Sequence, residues 1–208
     1  MSKAFYVLAI LMWYNNKKIQ EAVIFAWEKH FNQMRDGGNP YFVHLDRVTR
    51  IVAQYTQDED VLTASLLHDI IEDTTTAYGD IEYRFGKRVA DIVLQLTNDY
   101  SDNLEFKLKL EATKKHARNI TIKEAKLIKL ADRLDNLRDC YNWKASRQAR
   151  YIVNTRALLE GLGEISAEHI SLANAVRAQC RMIADKNQQV KQIIQEQNMM
   201  QYIGNLFE

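Results

Sequence analysis

A single proline, Pro40, stands among the 208 residues of this chain, and only seven glycines accompany it. Proline removes a backbone donor and ends helices, and glycine supplies most bends, so long stretches here carry no local signal against helix. Apolar residues at helical spacing fill those stretches, with charged residues, 26% of the chain, between them. The predicted class is all-α. A chain of this length buries a core without disulfides, and the two distant cysteines, Cys140 and Cys180, read as reduced thiols.

Residues 4–14, AFYVLAILMWY, form an apolar run. It is too short to span a bilayer, and NNKKIQEA after it offers no small-residue cleavage site. We expect a helix over residues 1–18 that packs on the domain, and a cytoplasmic chain.

The net charge of +1 conceals a division. No Lys or Arg lies between Arg50 and Arg84, where eight acids fall, whereas residues 101–156 hold fourteen cations against seven acids. Two solvated faces that attract each other would account for this. So would a bound cation on the acidic side facing a phosphate cleft on the basic side.

Residues 66–74 read LLHDIIEDT. Across 65–73, Leu66, Leu67, Ile70 and Ile71 predict the buried stripe of a helix, with Ser65, His68, Asp69, Glu72 and Asp73 opposite. In residues 124–140, EAKLIKLADRLDNLRDC, the buried side is Leu127, Leu130, Leu134 and Leu137, and Asp132, Asn136 and Asp139 line the other. In residues 35–55, Gly37, Gly38 and Pro40 predict a turn, then a helix from about Tyr41 with His44 on its inward face. Each element alone reads as an ordinary amphipathic helix, and an inward histidine is more often a core residue than a ligand.

Taken in order, HFNQMRDGGNPYFVH (30–44), LLHDIIEDT, FGKRVADIVLQLTND (85–99) and IKLADRLDNLRD (128–139) resemble the hydrolase domain of the RelA/SpoT proteins. These are HD-superfamily enzymes that degrade the alarmone (p)ppGpp. The resemblance covers residues 19–162 and is to the stand-alone small alarmone hydrolases. It implies an HD-domain helical bundle with a metal site between helices and an HD hydrolase domain over 19–162; residues 163–208 lie outside it and are expected to be a C-terminal helical extension of the same domain. By resemblance, His44, His68, Asp69 and Asp132 are the metal ligands, Glu72 and Asp73 the catalytic acid pair, and Arg35 and Asn136 the substrate contacts. The implied metal is Mn²⁺, although two imidazoles and two carboxylates equally suit Fe²⁺, Zn²⁺, Ni²⁺ or Co²⁺. The implied reaction is metal-dependent hydrolysis of the 3′-pyrophosphate of (p)ppGpp, giving GDP or GTP and pyrophosphate.

The chain departs from the family pattern at Asp36, where Lys is usual, at Asn98 for Lys, at Asp135 for His, at Asp139 for Thr and at Leu45 for Pro. Added acids near a polyphosphate pocket would weaken anion binding by repulsion. The alternatives are another HD-superfamily nucleotide phosphohydrolase, acting on a phosphorylated cofactor such as NADPH or on a nucleoside monophosphate, and a non-catalytic alarmone sensor. The expected partner is a small nucleotide, not nucleic acid or membrane. Residues 168–201 read as polar helix, expected to pair within the domain, with association of two copies of the chain as the alternative.

Overall fold

The structure is a computed structural model that describes residues 14–98, 100 and 104–204, with side chains to residue 197. Most of the helix expected over 1–18 lies outside the described residues. The described chain is all-α, with one isolated β-bridge between Met34 and Pro40 and no strands. It divides into two compact units, Met1–Asp99 with Ile120–Asp135, and Tyr100–Asn119 with Asn136–Glu208.

In the first unit the helices are α1 (Lys17–Lys29), α2 (Phe42–Val52), α3 (Glu59–Leu66), α4 (Ile70–Asp73), α5 (Tyr78–Phe85) and α6 (Lys87–Leu96). Helix α8 (Lys123–Asp139) contributes its residues through Asp135. The Asn16 side chain caps α1 by accepting from the Ile19 amide at 3.2 Å. Between α1 and α2 the chain turns back on itself, with the Arg35 amide donating to Asn39 and the Tyr41 amide to Gln33. Gly38 sits at φ +77°, a conformation that favours glycine. That turn delivers Tyr41 and, three residues on, His44.

Helices α2 and α3 pack through small polar contacts in the interior. The Ser65 hydroxyl donates to Thr49 Oγ1 at 2.9 Å, and both residues are fully buried. Around them Phe42, Leu45, Val48, Leu66, Leu67, Ile70, Val89, Val93, Leu127 and Leu130 form the core. The acids at 58 and 60 pair with Lys18 and Arg88, inside the first unit.

The second unit holds α7 (Phe106–Asn119), the end of α8, α9 (Ala145–Leu162), α10 (Ile170–Lys186) and α11 (Gln188–Gly204). The polar helix expected over 168–201 is two helices. Asn187 leaves the helical region at φ −133°, ψ 99°, and its side chain accepts from the amides of Gln189 and Val190 to start α11. Of the apolar points predicted there, Ala173, Val176, Ile183, Val190 and Ile194 are buried, whereas Ile170 is exposed. Cys140 and Cys180 are buried thiols that form no disulfide among the described residues.

Helices α7 and α9 touch at Gly161. A Cβ there would stand 2.5 Å from the Lys114 carbonyl oxygen and 2.6 Å from the Ala117 Cβ. Alanine would gain about 1 kcal/mol of helix propensity, but overlap with backbone costs up to about 3 kcal/mol. Gly161→Ala should therefore destabilise the protein by about 2 kcal/mol, seen as a lower midpoint of thermal unfolding. An unchanged midpoint would mean that the two helices part without cost.

Candidate metal centre

Three segments of the first unit converge on one point. Helix α2 presents His44, fully buried among Phe42, Leu45 and Val48. Helix α8 presents Asp132, buried on the side opposite Leu127 and Leu130. His68 and Asp69 come from the junction of α3 and α4, and here the structure differs from the continuous helix predicted over 65–73.

Helix α3 stops at Leu66 and α4 begins at Ile70. Between them the Leu67 amide donates to Ala64 and the Ile70 amide to Leu67, a three-residue spacing tighter than α-helix. Leu67 (φ −104°, ψ 6°) and Asp69 (φ −102°, ψ 0°) occupy the bridge region of backbone space, where residues of functional sites often sit. The apolar stripe survives the break because Leu67 and Ile70 remain buried. The Ser65 carbonyl accepts from His68 Nδ1 at 2.8 Å, which leaves Nε2 facing inward.

The inward atoms are closely grouped. Donor atoms of His44, His68 and Asp69 all lie within 4.8 Å of one another. His68 Nε2 is 3.1 Å from Asp69 Oδ2, and His44 Nε2 is 3.7 Å from that same oxygen. Asp132 Oδ1 stands 3.4 Å from His44 Nε2 and 3.9 Å from His68 Nε2. Both Nε2 atoms are buried without a hydrogen-bond partner. Ligand atoms about 2.1 Å from a shared ion stand roughly 3.0 to 3.4 Å apart at octahedral or tetrahedral angles, and about 4.2 Å at most. All four separations fall inside that limit, and two unbonded imidazole nitrogens with two carboxylates suit a divalent transition metal.

Electrostatics agree with the geometry. Burial pulls the His44 imidazole down, but Asp132, Asp135 and Asp69 outweigh it and push it up to about 9. Burial likewise opposes protonation of His68, and Asp69 and Asp132 push it up to about 10. Asp69 and Asp132 are lowered in turn, against burial, by the two imidazoles.

The predicted acid pair lies on α4 at the rim of this cluster. Glu72 and Asp73 are both exposed. Protein packed around the Asp73 carboxyl nevertheless strips part of its water, and Asp69 adds repulsion, which pushes it up to about 6. Tyr41 donates to Asp69 Oδ2 at 2.6 Å, so its phenol backs a candidate ligand at the edge of the cluster where Asp73 also lies. Of the two predicted substrate contacts, Arg35 lies with its guanidinium 5.7 Å from the Tyr41 ring centre, on the turn that delivers Tyr41. Asn136 follows Asp135 on α8 and belongs to the second unit.

Two of the departures from the family pattern have structural roles. Asp135 was expected to add a repelling charge near phosphate, but it is 2% exposed and its charge is matched. Its carboxylate receives Arg47 Nε at 2.8 Å, Arg47 Nη2 at 2.9 Å and His44 Nδ1 at 2.7 Å. Asn98 holds Glu72, its Nδ2 donating to the two carboxylate oxygens at 2.9 and 3.0 Å and its amide to Oε2 at 3.2 Å. Sequence reasoning passed over Arg47 and these roles of Tyr41, Asp135 and Asn98. Helical spacing held part of the signal, since Arg47 follows His44 by three residues and Asp135 follows Asp132 by three.

The sequence profile of the HD domain matches residues 22–163. The guanosine-3′,5′-bis(diphosphate) 3′-pyrophosphohydrolase MESH1 of Drosophila melanogaster is 36% identical over 161 residues, 72% of this chain and 87% of that protein. Its Xenopus tropicalis counterpart is 39% identical over 155 residues, 69% of this chain and 84% of that one. The bifunctional (p)ppGpp synthase/hydrolase SpoT of Escherichia coli is 34% identical over 160 residues, and the chain spans only 22% of its length. Among solved structures, a metazoan ortholog of SpoT described as hydrolysing ppGpp aligns with a TM-score of 0.66 at 31% identity, over 83% of this chain and 97% of that one.

Proposed function

The chain belongs to the HD domain family, among the RelA/SpoT-type hydrolase domains, and from that premise we propose that it is a Mn²⁺-dependent hydrolase that removes the 3′-pyrophosphate of (p)ppGpp. In this reading water adds to the phosphorus bonded to the ribose 3′ oxygen, and the bond to that oxygen breaks. GDP or GTP and pyrophosphate leave. The observation that carries the reading is the meeting of two buried, unbonded imidazole nitrogens with carboxylate oxygens of Asp69 and Asp132, each nitrogen 3.1 to 3.9 Å from both, beside an acid pair.

His44, His68, Asp69 and Asp132 would hold the ion. When bound, such an ion supplies positive charge to phosphoryl oxygens and makes water a stronger acid. The remaining work falls to the chain itself. Asn98 fixes the orientation of Glu72, and Tyr41 fixes that of Asp69. With its carboxyl raised to about 6, Asp73 is suited to take a proton from water and release it near neutral pH. Arg35 stands nearby as the cation for phosphate, where charge accumulates as the bond breaks. The names of the relatives support guanosine 3′,5′-bis(diphosphate) as substrate.

The test is to strip the protein of metal, restore Mn²⁺ to half of it, and give both samples ppGpp, pppGpp, their adenine analogues, NADPH and deoxynucleoside monophosphates. Pyrophosphate from ppGpp in the restored sample alone is the expected result. Orthophosphate from NADPH or a monophosphate, with ppGpp intact, would replace this substrate with another. Tight binding of ppGpp without product would make the protein a sensor.

A further inference from the structure

The two candidate imidazole ligands are backed differently. His68 Nδ1 meets a neutral partner, the Ser65 carbonyl, at 2.8 Å. His44 Nδ1 meets an anion, the Asp135 carboxylate, at 2.7 Å. Asp135 is itself gripped by the forked guanidinium of Arg47, with Nε on Oδ1 and Nη2 on Oδ2. That second oxygen therefore serves Arg47 and His44 together.

A buried carboxylate needs a partner, and Arg47 alone would satisfy that need. The additional contact to His44 is what gives the arrangement a consequence at the site. Donation from Nδ1 leaves the lone pair on Nε2, the atom that faces Asp132 and Asp69. An anionic acceptor also leaves the imidazole a stronger electron donor than a carbonyl does. The geometry is secured by helix spacing on both sides. His44 and Arg47 lie one turn apart on α2, Asp132 and Asp135 one turn apart on α8, and the two pairs face each other.

We propose that Asp135, oriented by Arg47, is a positioning residue that fixes the Nδ1 proton of His44 and makes His44 the stronger of the two imidazole ligands. The inference rests on the metal-centre reading above. It concerns residues that the resemblance left as a departure from pattern, and it gives the aspartate a role in metal binding.

The experiment measures Mn²⁺ affinity by competition with a metal indicator, and the visible spectrum of the Co²⁺-loaded protein, for the full chain and four variants. Asp135→Leu removes the acceptor and should weaken Mn²⁺ binding about 10- to 100-fold. Asp135→Asn keeps an acceptor oxygen without the charge and should recover most of that loss, with a shifted Co²⁺ spectrum. Asp46→Asn is the control for packing, because Asp46 is a buried carboxylate on the same helix that takes Arg50 Nε at 2.8 Å. Its Mn²⁺ affinity should stay that of the unmodified chain. His44→Ala separates the two levels of the reading. If His44→Ala abolishes binding while both Asp135 variants bind as the unmodified chain does, with unchanged spectra, the positioning role is overturned and the metal centre stands. If His44→Ala itself binds Mn²⁺ normally, the metal-centre reading fails. An equal loss in Asp46→Asn and Asp135→Leu would also overturn the proposal, since generic packing would then explain both.

Discussion

Turnover of ppGpp should fall by about 10²- to 10⁴-fold when Glu72→Gln and Asp73→Asn are combined, while Mn²⁺ binding persists. Neither carboxylate belongs to the group of donors that face one another inside the cluster. Both lie on its exposed rim, and Glu72 is oriented there by Asn98. The amides keep the size of the side chains and remove only the ability to take a proton. Asp73 should account for most of the effect, because its carboxyl, raised to about 6, is matched to proton transfer near neutrality. Glu72→Gln alone also places an NH₂ against the donors of Asn98, so its loss mixes chemistry with misorientation. Pyrophosphate release and an indicator titration on the same preparations decide the matter. Undiminished turnover would remove the acid pair from the mechanism, and lost metal binding would make the pair structural.

Affinity for Mn²⁺ should rise steeply with pH, by up to about 100-fold from pH 7 to pH 8. In the metal-free protein His44 is raised to about 9 and His68 to about 10, so both are protonated at neutrality. Each must lose its proton to become a ligand, and each proton released contributes up to about tenfold per pH unit. The same protons shape the stability of the metal-free protein. The raised imidazoles stabilise the fold fully below their unfolded value of about 6.5, and that contribution is lost as pH rises through 9 and 10. The lowered Asp69 and Asp132 stabilise it above about 4, and their contribution is lost as pH falls below that. From this cluster alone the metal-free protein is most stable between about pH 4 and 6.5. Proton release on adding Mn²⁺ in weak buffer gives the count directly. Affinity that stays flat from pH 6 to 8 would mean that both imidazoles are already neutral.

Periodicity made the helical class legible, together with the buried faces of α2 and α8, because it reports which side of a helix is apolar. It could not report the break at residues 67–69. Leu66, Leu67, Ile70 and Ile71 keep one stripe whether the backbone tightens or not, so the feature that orients His68 and Asp69 left no trace in the pattern. The four converging donors were named from motif order, not from spacing within any one helix. Asp135 and Asn98 were harder still. Their meaning depends on partners 88 and 26 residues away in the chain, Arg47 and Glu72, and a charge read without its partner looks like repulsion. The division of the C-terminal stretch at Asn187 was missed because Asn is tolerated within polar helix as well as at its start.

The donors of the cluster come from three separate stretches of chain, at His44, at His68 with Asp69, and at Asp132. An ion seated among them would act as a staple, withdrawing freedom from the unfolded chain and raising resistance to proteases along with activity. Scarcity of divalent metal would then shorten the protein's lifetime as well as slow it, so that its abundance would follow the supply of the ion it needs.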